Sequence, residues 1–94
     1  MIEWNRTRTI RHGSTVTTSK CGRFGIVRRE YCLPANSVVY FLVFKSKGLC
    51  AFDHERLSDA KEDAEEILAD TSCEELPEGF ENGYARNGSE WVIS

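Results

Sequence analysis

The chain has 94 residues and a formal net charge of −3, with 40% hydrophobic and 29% charged residues. This length predicts one domain that buries about 60–65% of the surface its unfolded form exposes, and the composition argues against disorder. The N-terminal residues lack the apolar run of a signal peptide, and the longest apolar stretch, residues 38–44, is too short for a membrane helix. We therefore expect a cytoplasmic protein with no membrane contact.

Four cysteines are spread widely along the chain, at Cys21, Cys32, Cys50 and Cys73. Zinc fingers and ribbons bring their ligands in close pairs, because two ligands on one tight turn converge on one ion. No such pair occurs in this sequence. In a reducing compartment the expected state is four unpaired thiols that pack as small apolar groups, with no metal and no other cofactor. The alternative is a disulfide or a metal site composed of distant residues.

The modest net charge hides a strong difference between the two halves. Residues 1–50 contain nine Lys or Arg and two Glu, whereas residues 51–94 contain three Lys or Arg and thirteen Asp or Glu. Such asymmetry favours the binding of a charged partner. A basic sheet that docks on an acidic helix of the same chain would give the same pattern.

The N-terminal half, residues 1–52, predicts strands. Residues 1–12 resemble an edge strand or an extended arm, and β-rich segments follow at 15–19, 24–31, 38–45 and 49–52. Segment 38–45 is apolar at both alternating sets of positions. Such a strand is either central with both faces covered, or offers an apolar face to a partner.

A helix is predicted over residues 57–70, because apolar side chains recur there at helical spacing, with Ser58 as the N-cap. Its apolar stripe consists of Leu57, Ala60, Ala64, Ile67 and Leu68. Residues 71–94 form an acidic, turn-rich tail that ends in a predicted hairpin. The predicted fold is α+β: a single domain over 1–94, with an antiparallel sheet of about four strands packed by one amphipathic helix and a C-terminal hairpin or strand.

Three segments resemble the small β-β-β-α proteins of phage and mobile-element genomes: Trp4-x-Arg6-Thr7, Phe24-x-Ile26-x-Arg28 and Leu57-x-x-Ala60-Lys61-x-x-Ala64-Glu65. The similarity covers about residues 4–68. It implies the same fold, a phage or mobile-element origin and the host cytoplasm as location. Small phage proteins of this kind often bind and block a host factor, including nucleases of defence systems.

The order of three strands and a helix is also similar to the double-stranded-RNA-binding domain. In that family, lysines at the start of the last helix contact phosphates. In this sequence Ser58 and Asp59 precede Ala60-Lys61, so a carboxylate would face the phosphates. RNA binding in that mode is therefore not expected.

The predicted helix carries an acidic stripe. Five carboxylates lie within about 60° of one direction in helical projection: Asp59, Glu62, Asp63, Glu66 and Asp70. Three pairs of them are like charges at i,i+4, and Asp70 lies at the unfavourable end of the helix dipole. The stripe is either a solvated face or a docking site for a basic surface of a host protein.

The alternative binding surface is basic. Arg6, Arg8, Arg28 and Arg29 could contact phosphates, although the isoelectric point of about 5.4 is unlike that of nucleic-acid-binding domains.

Catalytic motifs are weak, since Cys50 and His54 form the one nucleophile–base candidate. We predict a non-enzymatic protein-interaction module that inhibits a host defence protein, with nucleic-acid binding as the alternative. A homodimer is also compatible with the sequence.

Overall fold

A seven-stranded antiparallel sheet and one α-helix make up the fold in the computed structural model, which describes residues 1–31, 37–86 and 90–93. The helix, α1, runs over Leu57–Asp70. The strands are β1 (Arg8–Thr9), β2 (Thr15–Thr18), β3 (Phe24–Tyr31), β4 (Ser37–Lys45), β5 (Leu49–His54), β6 (Tyr84–Arg86) and β7 (Glu90–Val92). Their order in the sheet is β1-β2-β3-β4-β5-β7-β6.

The α+β class, the antiparallel sheet and the single helix are confirmed within these residues, and β6 and β7 pair antiparallel as the predicted C-terminal hairpin requires. The prediction of about four strands is wrong, because the sheet has seven. β1 has two residues, and β6 and β7 have three each, so none is long enough to show a period of two in the sequence. Each of these strands is held by pairing with a neighbour in the sheet. β1 pairs with β2, and β7 joins β5 through Cys50 and Glu90.

The strand β4 lies at the centre of the sheet, and both of its faces are covered over residues 41–44. On one face a helix-side core forms around Phe24, Leu42, Phe44, Ala60 and Ala64. On the other face a second core contains Val16, Val27, Phe41, Val43, Ala51, Phe80 and Trp91. The two-sided apolar pattern therefore reflects a buried central strand over residues 41–44. Val38, at the start of β4, is 36% exposed.

Two alanines set the contact between α1 and the sheet. Ala60 and Ala64 are fully buried, and their small side chains let the helix backbone approach the strands closely. Leu68 lies about 60° around the helix from the direction of these alanines and is 38% exposed, in contrast to its predicted burial. Arg56 takes the N-cap position expected for Ser58, because the helix already begins at Leu57.

The C-terminal segment covers the second core through two close approaches to glycine. A Cβ atom on Gly25 would lie 2.2 Å from the Phe80 ring, and one on Gly83 would lie 2.2 Å from the Trp91 indole. The Trp91 Nε1–H also donates a hydrogen bond to the Phe80 carbonyl. Bare backbone at these two glycines thus makes room for the two aromatic side chains that close this side of the sheet.

Arg29 fastens the same segment to β3. Its Nη2 group donates hydrogen bonds to the carbonyl oxygens of Glu81 at 3.1 Å and Gly83 at 2.7 Å. The guanidinium also lies 5.6 Å from the centre of the Trp91 ring, within the range of a cation–π contact. Arg8 of β1, the strand at one edge of the sheet, forms an ion pair at 3.3 Å with Glu81, which lies just before β6 at the other edge. The two edges of the sheet are therefore close together at this point.

In the part of the chain that the structure describes, no helix has both the length and the apolar character needed to cross a membrane.

The Gly25 contact gives a direct test of this packing. Gly25→Ala should lower the free energy of unfolding by about 1–3 kcal/mol, because the buried Phe80 ring must move to admit a methyl group. Gly48→Ala is the matched control, since a Cβ there meets nothing within 4 Å, and its effect should stay within about 0.5 kcal/mol. Urea unfolding measures both. Equal effects of the two substitutions would contradict the Phe80 placement.

Candidate partner-binding surfaces

Four of the five predicted carboxylates lie on the exposed face of α1: Asp59, Glu62, Glu66 and Asp70. They face outward because the buried alanines fix the inner direction of the helix, and these residues lie about 100–180° away from it in helical projection. None of the four forms an ion pair within residues 1–31, 37–86 and 90–93. We call these four residues the acidic face.

Lys61, the one basic residue of α1, does not neutralise the acidic face. Its Nζ atom lies 5.7 Å from the centre of the Trp4 ring, on the side of the helix that contacts the N-terminal segment. The last turn of the helix contains no basic residue. Mutual repulsion and an unfavourable dipole interaction at Asp70 therefore remain without compensation from α1 itself.

Asp63 has a different role from the other four. It lies on the flank of α1 and is half-buried, and its Oδ2 atom is 2.9 Å from Nε2 of His54 on β5. The side chains of His54 and Asp63 are 19% and 28% exposed, so this pair is partly shielded from solvent. It attaches the helix to the sheet, and we leave Asp63 out of the acidic face.

The four arginines proposed as nucleic-acid contacts do not come together on one surface. Arg28 and Arg29 are neighbours in β3 and point to opposite sides of the sheet. Arg28 pairs with Glu30 at 2.8 Å, Arg29 binds backbone carbonyls, and Arg8 pairs with Glu81. Arg6 is exposed.

The nucleophile–base candidate is not assembled. Cys50 and His54 share one face of β5, but four residues of extended strand place them about 13 Å apart. His54 contacts Asp63, and the Cys50 thiol contacts the Gly48 carbonyl. Nor do the described residues contain any group of three or more His, Cys, Asp or Glu placed to hold a metal ion.

A cleft that the sequence did not predict lies where the two ends of the strand order meet. It has a volume of about 600 Å³ and is lined by residues from 10–14, 29–31 and 81–84. These three stretches are far apart in the sequence, and none has a motif of its own. Only the pairing of the strands brings them together, so sequence patterns give no signal for this site.

The cysteines differ in chemical environment. Cys21, Cys50 and Cys73 form no disulfide with one another, and Cys32 lies outside the described residues. Partial burial acts to raise the pKa of Cys21, but hydrogen bonds from Ser19 and the Arg23 backbone and the charge of Arg23 outweigh it, so this pKa lies below the usual value. Burial raises the pKa of Cys73, and Arg23 offsets this only in part.

This difference predicts selective alkylation. Cys21 should react with iodoacetamide about tenfold faster than Cys73 at neutral pH, because it is exposed and carries the larger thiolate fraction. Lowering the pH from mildly alkaline to neutral should slow the alkylation of Cys73 more than that of Cys21, because the thiol with the higher pKa loses a larger share of its thiolate form over this pH range. Peptide mass spectrometry over time measures both rates, and in denaturant they should converge. Equal rates in the folded protein would contradict the assigned environments.

Comparison with known proteins gives no match, whether the chain is compared with family models, with curated proteins or with solved structures.

Proposed function

We propose that this chain is a non-enzymatic protein-interaction module that docks its acidic face on a basic surface of a partner protein. The observation that carries the proposal is the exposure of Asp59, Glu62, Glu66 and Asp70 along one 14-residue helix without ion-pair partners in the described residues. Residues 41–44 of the central strand are covered on both faces of the sheet. The outer side of α1 is thus a long, regular surface left open to a partner.

Charge pairing inside the chain does not account for the acidic face. Two arginine–carboxylate ion pairs and the His54–Asp63 contact are present among the described residues, and only Arg8–Glu81 joins the basic half of the sequence to the acidic half. That pair involves the C-terminal segment and not α1. A basic sheet docked on an acidic helix would require contacts from arginines or lysines to the acidic face, and the described residues show none.

An uncompensated acidic face acts chiefly on encounter and orientation. Complementary charges accelerate association and exclude partners of the same sign, and the effect weakens with salt because the Debye length at physiological ionic strength is about 8 Å. Exposed pairs add little affinity individually, so binding depends on several contacts made together. A groove that normally binds the phosphates of a nucleic acid has the required charge.

The resemblance to phage and mobile-element proteins makes a host defence nuclease the first class of partner to test. The chain would then inhibit by occupying the basic groove of the nuclease. This function requires no cofactor and no catalytic residue.

Direct nucleic-acid binding has less support. Three of its four candidate arginines already contact protein groups, and Arg28 and Arg29 face opposite sides of the sheet. The acidic face would also repel phosphates.

Charge reversal tests the docking surface. Glu62, Glu66 and Asp70 are changed to lysine together, whereas Asp59 is kept because it lies in the first turn and favours the helix dipole. Stability should change by about 1 kcal/mol or less, since these side chains are exposed and unpaired. Affinity capture from bacterial lysate, quantified by mass spectrometry, should lose the basic proteins that the unaltered chain captures.

In the matched control, Glu74, Glu75 and Glu78 are changed to lysine; these residues are also exposed but lie outside the helix. This variant has the same net charge and should capture the same proteins as the unaltered chain. Unchanged capture by the helix variant, with its fold intact by circular dichroism, would reject the acidic face as the docking surface.

A further inference from the structure

The strand β3 extends beyond its neighbour β2. The pairing of β2 with β3 ends at Thr15 and Arg28, because the chain before Thr15 turns away through a 3₁₀ turn at Arg11–Gly13. β3 continues through residues 29–31, which pair with β4 on their other side. In the described part of the chain, residues 29–31 therefore have a partner strand on one side only.

This overhang leaves backbone groups available. Successive residues of an antiparallel strand direct their N–H and C=O groups to alternate sides, so three residues place at least one N–H and one C=O on the open side. No backbone hydrogen bond joins residues 29–31 to the described residues of the β1–β2 connection or of the segment before β6. An unpaired edge of this kind is a template for another strand.

The open edge forms one wall of the cleft of about 600 Å³. This volume lies in the range of about 300–1,000 Å³ that is usual for ligand sites. The facing wall includes Tyr84 of β6, which is the last strand of the sheet and, among the described residues, pairs with β7 alone. Tyr31 and Tyr84 are 43% and 48% exposed and supply aromatic surface on the two walls.

One positively charged residue that lines the cleft, Arg11, has no ion-pair partner among the described residues. Glu30 pairs with Arg28, Glu81 pairs with Arg8, and Arg29 binds two carbonyl oxygens. Arg11 is exposed and forms no ion pair with any described residue. Both carboxylates at the site are thus engaged, and the free charge is positive.

We propose that this cleft binds an extended acidic peptide segment of a partner protein, which adds as a short strand to the open edge of β3 and places a carboxylate against Arg11. The backbone edge recognises the extended conformation, and Arg11 selects the acidic side chain. None of the lining residues belongs to α1. The site is therefore independent of the acidic face, and either proposal can fail without the other.

The test begins with a phage-displayed library of random ten-residue peptides selected against the full chain. Enriched peptides should combine alternating β-branched residues with at least one Asp or Glu. A synthetic copy of an enriched peptide, titrated into the isotopically labelled chain, should shift the amide resonances of Arg29, Glu30 and Tyr31. No enrichment over an unrelated protein, or shifts confined to α1, would overturn the proposal.

Two sets of variants separate strand addition from other modes of binding. N-methylation of alternate peptide amides should weaken binding about tenfold for one alternating set and little for the other, because only one set faces β3. Equal effects of the two sets would rule out strand addition.

Arg11→Gln should weaken binding of the acidic peptide about threefold and should leave binding of its glutamine analogue unchanged, as expected for an exposed charge pair. Lys47→Gln is the charge-matched control, since Lys47 is exposed in the β4–β5 connection and outside the cleft. Equal losses for Arg11→Gln and Lys47→Gln would exclude a specific role for Arg11.

Discussion

The strand β4 presents apolar side chains to both sides of the sheet, and each side is covered by a different part of the chain. The helix covers one side through Ala60 and Ala64, and the C-terminal segment covers the other through Phe80 and Trp91. Removing either the helix or the C-terminal segment would expose large apolar surface to water, which costs about 25 cal/mol of stability per Å². The small residues at the contacts, two alanines on one side and Gly25 and Gly83 on the other, set how closely the covers approach.

This double cover determines which surfaces remain for function. Because the middle of the sheet is covered on both faces, the surfaces proposed for binding lie on the outer side of α1 and at the open edge of β3. Arg29 takes part both in the packing and in the open edge. Its side chain donates hydrogen bonds to carbonyl groups of the C-terminal segment, and its backbone belongs to the open edge of β3. Its Nε atom is buried and has no hydrogen-bond partner among the described groups.

The elements with a strong periodic signal were predictable, and those that depend on tertiary contacts were not. The apolar spacing of residues 57–70 and the β-rich segments over 24–31 and 38–45 follow local rules, and α1, β3 and β4 lie there. β1 lies within residues 1–12, where the sequence predicts an edge strand or extended arm, and β6 and β7 pair as the predicted C-terminal hairpin requires. Their places in the strand order depend on tertiary contacts. Asp63 belongs to the acidic stripe by helical angle, but its contact with His54 depends on how the helix docks. The cleft combines three distant stretches and has no sequence pattern.

The two proposed surfaces carry opposite free charge and lie on different elements. The acidic face would meet a basic surface, and the cleft with Arg11 would meet an acidic extended segment. A short edge of three residues offers few hydrogen bonds, and exposed ion pairs are individually weak, so each contact alone would be of low affinity. One partner that supplied both features would gain from effective concentration, because the second contact becomes intramolecular once the first has formed. A chain of this size would therefore bind most tightly to a protein with both a basic groove and an exposed acidic strand segment, and weakly to either feature alone.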